Sequence, residues 1–333
     1  MRAHRLLLIA GCAVGLALLP ALAGAQSSTS PAPPPTVADE REPIRLLVGM
    51  PPGSGVDEIS RVLAQGLSER LFRPVRVENR TGARGNVAGE ELARSIPDGN
   101  TLGVVTATTM LLNRHLSRHL GYDPQADLTP ISRFASLPFL VLTGPGSDDR
   151  TVGDLIENLK ARPGTCGTPG AGSAQHLALE LLMRSAGARC DFVHFRGIAG
   201  ALPELLNGSV QVYVEAAVIG LPLVREGRVR LLAVTSRARS ALLPETPTVA
   251  ETVAGYEAET WLALMGPRGL ASTVLSKLEA AAIAVARDAA VVNRLRALSA
   301  EPIGGTRIEL ATTIRAQDSI WGPVARAAGV TAD

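Results

Sequence analysis

The chain is poor in lysine, aromatics and charge bias, and each shortage removes a class of function. Lysine occurs only at Lys160 and Lys277, so almost every cation is an arginine and chemistry built on a reactive amine has few candidates. Aromatic residues make up 3% of the 333 residues, which leaves little for the stacking platforms that hold single-stranded nucleic acid. Lys and Arg together number 33 against 31 Asp and Glu. Two of those arginines, Arg2 and Arg5, sit in an N-terminal leader, so the rest is near neutral and lacks the basic footprint of a nucleic-acid binder. Past that leader no apolar run is long enough to span a bilayer. Histidine is also scarce. His4 lies in the leader, and His115, His119 and His194 show no metal-ligand spacing with cysteines or acids. His115 and His119, four apart, lack a third partner, so neither a metal nor a cofactor is expected.

The leader, Met1 to Ala25, reads as a secretory signal peptide. Arg2 and Arg5 form its positive end, Leu6 to Leu19 its apolar core, and Ala23-Gly24-Ala25 the cleavage site, which predicts export with cleavage after Ala25. Ile9-Ala10-Gly11-Cys12 resembles a lipoprotein processing box, but the apolar core continues past Cys12, which argues against lipidation there. Residues 26–42, beginning QSSTSPAPPPT, read as a disordered Ser/Pro tether. Two cysteines remain, Cys166 and Cys190. An exported pair can form a disulfide, which here would close a loop of about 25 residues and contribute about 3 kcal/mol. Two buried free thiols are the alternative.

The stretch from Ile44 to Leu71 organises the chain. Ile44 to Met50 is an apolar run with the pattern of a buried strand. Pro51-Pro52-Gly53-Ser54-Gly55 breaks it, and Ile59, Val62, Leu63, Leu67 and Leu71 then recur at helical spacing. A strand thus feeds a glycine-rich turn that opens a helix. The first amides of a helix have no intrahelical partner and carry the positive end of its dipole. The turn is therefore either a plain strand-to-helix connection or an anion site made of backbone. A second copy of this grammar follows. Gly164-Thr165-Cys166-Gly167 reads as a strand, Thr168 to Ser173 as a glycine-rich turn, and Ala174 to Arg184 as a helix with Ser173 as its N-cap. Two such turns suggest two α/β lobes whose helix starts could hold one anion in a shared cleft.

Between and beyond these copies, Val75 to Glu78, Thr101 to Thr106, Phe139 to Thr143, Cys190 to Phe195, Val210 to Glu215 and Arg230 to Thr235 read as strands. Thr106 and Thr108 end one of them, where ligands of open α/β sheets gather, or else they cap the next helix. Thr151 and Asp154 form a capping box, as do Thr306 and Glu309. Glu259 to Pro267 echoes Phe139 to Pro145, and the two are expected to pair as strands crossing between lobes. That predicts a first lobe of 43–143 with 259–333 and a second of 144–258, joined by a hinge. The tail, Ser272 to Leu298 and Thr306 to Ala328, reads as helices packing back on the first lobe.

In order and spacing these residues resemble one family, the periplasmic receptors of tripartite tricarboxylate transporters, also called Bug receptors. The likeness runs from about Pro43 to Val330. It is carried by Pro51-Pro52-Gly53 with Asp57, by Glu78-Asn79-Arg80 with Gly82-Ala83 and Gly85-Asn86, and by Pro97 to Leu102. Tyr122-Asp123-Pro124, and Gly170 to Ser173 with Gln175-His176-Leu177, continue it. Leu232 to Thr235, Pro247 to Glu251, and Glu301-Pro302 with Gly304-Gly305-Thr306 complete it. The resemblance implies an α/β, two-lobed periplasmic binding protein of the Venus flytrap kind, hinged on two crossing strands. It implies a monomer that closes on a small organic carboxylate (mono-, di- or tricarboxylate, or acidic amino acid) and serves membrane transporter subunits. Carried over by position, first-lobe contacts are Gly53, Ser54, Gly55, Thr106 and Thr108. Second-lobe contacts are Ala171, Gly172, Ser173, Phe195, Arg196 and Glu215.

Several positions depart from that family's pattern. Val56 stands where a hydroxyl is usual, Met50 where an aromatic precedes the prolines, and Arg84 in place of a glycine. Arg196 stands where lysine is common, and Glu215 where aspartate is usual. Arg84 either reaches the cleft to pair a second carboxylate or is a solvated loop arginine. Glu215 is either a specificity acid or a surface charge at a strand end. Two other functions compete. Gly170 to Ser173 faintly resembles a nucleophile elbow, which would make a secreted hydrolase, but the motif is incomplete at Gln175. An accessory that docks a membrane histidine kinase would need the same closing lobes.

Overall fold

The computed structural model describes residues 42–330. The leader, its cleavage site and nearly all of the tether lie outside the described residues. In chain order the elements are β1 (Ile44–Val48), α1 (Gly55–Leu71), β2 (Val75–Asn79), α2 (Asn86–Ala93) and β3 (Thr101–Thr106). A π-helical turn, Thr108–Leu112, then runs into α3 (Asn113–Leu116), followed by α4 (Pro124–Asp127) and β4 (Leu128–Thr143). Next come α5 (Val152–Ala161), β5 (Gly164–Thr168), α6 (Ala174–Ala186), β6 (Cys190–His194), α7 (Ile198–Leu206), β7 (Val212–Ala216), α8 (Ala217–Arg225) and β8 (Arg230–Val234). The chain closes with β9 (Glu259–Pro267), α9 (Ser272–Ala286), α10 (Ala289–Ala297), β10 (Glu301–Gly305) and α11 (Arg307–Ala328). Among the described residues no helix is long and apolar enough to cross a membrane.

The strands run in the order β2-β1-β3-β9-β4-β7-β5-β6, with β10 and β8 also on β4. In the first half β1 pairs β2 and β3 in parallel, and β9, β4 and β10 join antiparallel. In the second half β5 pairs β6 and β7 in parallel, while β7 and β8 flank β4 antiparallel. Sixteen-residue β4 belongs to both. From Leu128 to Pro138 it pairs β9, and from Phe139 onward it pairs β7 and β8. Pro138 sits at the changeover, where a missing N–H does least harm to a ladder. This corrects the expected pairing of Phe139–Pro145 with Glu259–Pro267. The partner of β9 is the stretch before Phe139, and Phe139 to Thr143 belongs to the second sheet.

Thr235, fully buried, ties the changeover together. Its hydroxyl accepts from the Phe139 amide at 2.9 Å and its backbone amide donates to the Phe139 carbonyl at 3.0 Å. The Ala258 amide donates to the Thr235 carbonyl at 2.9 Å, just before β9 begins.

Helices cover both faces of both halves, as parallel strands require. In the first half the predicted stripe of α1, Ile59, Val62, Leu63 and Leu67, is buried against Leu278, Ala282 and Val285 of α9. Each such aliphatic side chain contributes about 2 kcal/mol by leaving water. In the second half α7 and α8 cover one face with Leu202, Leu205 and Leu221. The opposite face carries α5 and α6, and its core is continuous with that of the first half: Leu47, Val105 and Trp261 join Val141, Leu177 and Val212 in one cluster. Leu310, Ile314 and Trp321 of α11 belong to that shared core. The last helix thus packs against α6 as well as β4, rather than on the first half alone.

Cys166 and Cys190 are joined as a disulfide, with Cα atoms 5.8 Å apart. β5 and β6 are adjacent and parallel, with Gly164 opposite Cys190. The bridge closes the 24-residue span that contains α6.

Candidate binding site

Both halves bring three parallel strands to a common carboxyl edge: β1, β2 and β3 in the first, β5, β6 and β7 in the second. Ligands of open α/β sheets gather beyond such edges. The two glycine turns lie there and are built alike. In the first, Ser54 caps α1, its hydroxyl accepting from the Asp57 amide at 3.3 Å. The Asp57 carboxylate reaches back to accept the Gly53 amide at 2.9 Å. In the second, Ser173 caps α6, its hydroxyl accepting from the His176 amide at 3.1 Å, and the His176 Nδ1 accepts the Gly172 amide at 3.1 Å. Gly53 and Gly172 both take the left-handed backbone, φ 77° and 68°, that this closure needs.

One job is therefore done by two chemistries. Asp57 is 1% exposed, and burial pushes its pKa up. Hydrogen bonds from Arg61 (2.9 Å), Asn79 (2.8 Å) and Gly53 outweigh that and hold the carboxyl below its usual range. His176 has no such cation. Burial, with His194 edge-on at 4.7 Å, pushes its pKa down to about 4, so the ring is neutral and Nδ1 is free to accept.

The amides of Gly53 and Gly172 are thus engaged inside the turns, and those of Ser54 and Ser173 donate to Pro51 and Gly170. The first two amides of each helix, Gly55 and Val56 in α1 and Ala174 and Gln175 in α6, have no acceptor within their own helix. Each capping serine keeps its O–H as a donor, since the cap uses only a lone pair. Each turn abuts the other half. A methyl group placed on Gly55 would lie 3.9 Å from Val218 at the start of α8, and one on Gly172 would lie 3.6 Å from Arg84 Nη1 and from Leu116 Cδ1.

The other predicted residues are distributed unevenly. Thr106 is buried, and its hydroxyl accepts the amide of Thr109 in the π-helical turn at 3.2 Å. Thr108 opens that turn and stays half-buried. Ala171 is exposed at the tip of the second turn. Phe195, half-buried, packs against the core beneath α7, beside Gly167, and its amide donates to the carbonyl of Thr168 at the carboxyl end of β5 at 2.8 Å. Arg196 next to it is exposed. Glu215, at the carboxyl end of β7, is only 2% exposed. It accepts from its neighbour's amide, Ala216, at 2.8 Å and from Gln175 of α6 at 3.4 Å. Burial raises its pKa despite both contacts.

Sequence reasoning missed the bracing roles of Asp57 and His176. A signal was present: Ser54 with Asp57 and Ser173 with His176 have the spacing of a capping box, with the side chain returned to the residue before the cap. The same arrangement answers the hydrolase reading. Ser173 Oγ meets the backbone of His176, not its ring, so the pair is a helix cap. Among the described residues no group of three or more His, Cys, Asp or Glu could hold a metal ion.

Comparison with known proteins agrees with this architecture. A family model described as "Tripartite tricarboxylate transporter family receptor" matches residues 59–330. The protein BugT of Bordetella pertussis is 32% identical over 293 residues, covering 86% of this chain and 89% of that protein. An R. palustris protein solved with adipate superposes with a TM-score of 0.72 at 31% identity, covering 88% of this chain and 99% of that one. MatC from Rhodopseudomonas palustris, with bound malate, superposes with a TM-score of 0.67 at 26% identity, covering 85% of this chain and 99% of that one. The mixed α/β fold is that of a two-lobed periplasmic binding protein. A match that runs from the first helix to the last makes this chain a member of the tripartite tricarboxylate transporter receptor family.

Proposed function

We propose that the chain, exported and cleaved after Ala25, is a monomeric periplasmic receptor. It takes a small carboxylate between its lobes and delivers it to the membrane subunits of a tripartite tricarboxylate-type transporter. The observation that carries this reading is the pair of serine-capped, glycine-led helix starts, each at the carboxyl edge of three parallel strands in its own half. A carboxylate presented there would accept from the amides of Gly55, Val56, Ala174 and Gln175 and from the hydroxyls of Ser54 and Ser173, with both helix dipoles favouring its charge. Adipate and malate, found with two members of the same fold, are ligands of this chemistry.

The lobes in this reading are 43–138 with 259–330 and 139–258, with the hinge at Pro138 and Glu259. A ligand touching both binds the closed arrangement better and shifts the population toward it. Closure removes water and strengthens each amide contact. Glu215 is the second-lobe acid that would meet an amino or hydroxyl group further along the ligand.

A thermal-shift screen of mono-, di- and tricarboxylates and acidic amino acids tests the reading. At a hundred times its dissociation constant, a ligand bound only by the native state should raise the melting temperature by about 5 °C. A screen in which no carboxylate moves it would refute the proposal. In the same screen Glu215→Gln should weaken ligands bearing amino or hydroxyl groups selectively. An equal effect on every ligand would remove Glu215 from the site.

A further inference from the structure

We infer that Arg84 is a specificity-determining residue of the interlobe site, whose guanidinium selects ligands with a second negative charge beside the Gly170–Ser173 turn. The inference rests on the carboxylate-receptor reading above. Arg84 is rooted in the first half, in the loop between β2 and α2. Its guanidinium nevertheless reaches the second half: Nη1 and Nη2 lie 3.6 and 3.7 Å from a methyl group placed on Gly172. Gly172 is the residue before the cap of α6, so a fixed cation stands against the start of a thirteen-residue helix.

The backbone that delivers this side chain is strained and held. Ala83 and Arg84 both adopt left-handed φ, 45° and 55°, which costs non-glycine residues free energy. The Arg84 carbonyl accepts from Thr109 Oγ1 at 3.1 Å and from Asn113 Nδ2 at 3.3 Å, and Asn113 is fully buried. The same amide of Asn113 also donates to Asn86 Oδ1 at 2.8 Å, on the far side of the loop. Gly85 has no room for a side chain, because a Cβ there would lie 2.7 Å from Thr109 Oγ1. Strain maintained by several independent bonds places a side chain where relaxation would not leave it, and it gathers at ligand sites.

The electrostatics point the same way. The start of α6 carries the positive end of its dipole, and the guanidinium adds a full charge beside it. An anion placed between the guanidinium and the helix start is attracted by both. Arginine's fork is also suited to a carboxylate. One carboxylate of the ligand would then be held by amides alone and the second by Arg84 as well.

The test is calorimetry on the folded, exported form with succinate, malate and adipate, each paired with its half-amide. The wild type should bind at least one diacid ten or more times more tightly than the half-amide. Arg84→Gln should abolish that ratio by weakening the diacid while leaving the half-amide unchanged, and Arg84→Lys should keep part of it. Arg84→Gly, free of left-handed strain, should lose the ratio yet melt no lower than the wild type, which separates recognition from folding. A ratio that survives in Arg84→Gln and Arg84→Gly, or a wild type that binds half-amides as well as diacids, overturns the inference while leaving the receptor reading intact. Failure of every carboxylate to bind any form overturns both.

Discussion

Asp57 and His176 occupy equivalent positions in two helix starts, and each closes its turn by accepting a glycine amide. One is ionised and the other neutral, and since the fold lowers both pKa values, both contributions are lost in acid, that of His176 at the higher pH. The folded pKa of His176, about 4, lies below its ordinary value of 6.5. Between those values the unfolded chain binds a proton that the folded one does not. The contribution of His176 is therefore complete above about pH 6.5 and is lost as pH falls toward 4. The Gly172 amide then loses its acceptor, because a protonated Nδ1 can only donate. NMR titration of the ring is expected to show no protonation down to about pH 5. In His176→Gln the decline of melting temperature between pH 6.5 and 4 should flatten. Titration of His176 near 6.5 would contradict this. The Ser173 cap was legible from residue type and position, whereas Ser54 was read only as part of its turn. The engagement of the glycine amides was not legible, because it depends on a side chain four residues on turning back over the cap.

At the scale of elements, the disulfide restrains the helix that carries the second turn. The span from Cys166 to Cys190 contains α6 and the Pro169–Ser173 turn, so the bridge limits the unfolded chain around the candidate site. Cys190→Ser, or reduction, is expected to cost about 3 kcal/mol in chemical denaturation, from loop entropy over this span. A loss below 1 kcal/mol would mean that β5 and β6 hold their register without it. Elements with strong caps or uniform periodicity were legible: α1, α5, α6, α11 and the buried strands β1 and β3. The first part of β4 was not, because Pro130, Ser132, Arg133, Ser136 and Pro138 interrupt its apolar pattern while β9 and β10 supply its partners from far along the chain. β10, with Pro302 and two glycines, was missed for the same reason. The long tail helix proved to be α9 and α10, separated where Asp288 caps the second by accepting the Ala290 amide at 3.0 Å.

At the scale of the whole molecule, two halves share one continuous strand, one buried threonine at the changeover, and a core that α11 helps to fill from the first half to the second. Such a core passes from one packing to another rather than deforming smoothly, which suits a receptor with two discrete arrangements. The central claim is that unpaired amides at two helix starts, one in each lobe, hold the ligand's carboxylate. Amide NMR of the ¹⁵N-labelled protein, titrated with the carboxylate that raises its melting temperature most, tests this directly. The account predicts that the amides of Gly55, Val56, Ala174 and Gln175 shift together with one dissociation constant. Saturating binding that leaves those four amides unmoved would contradict it.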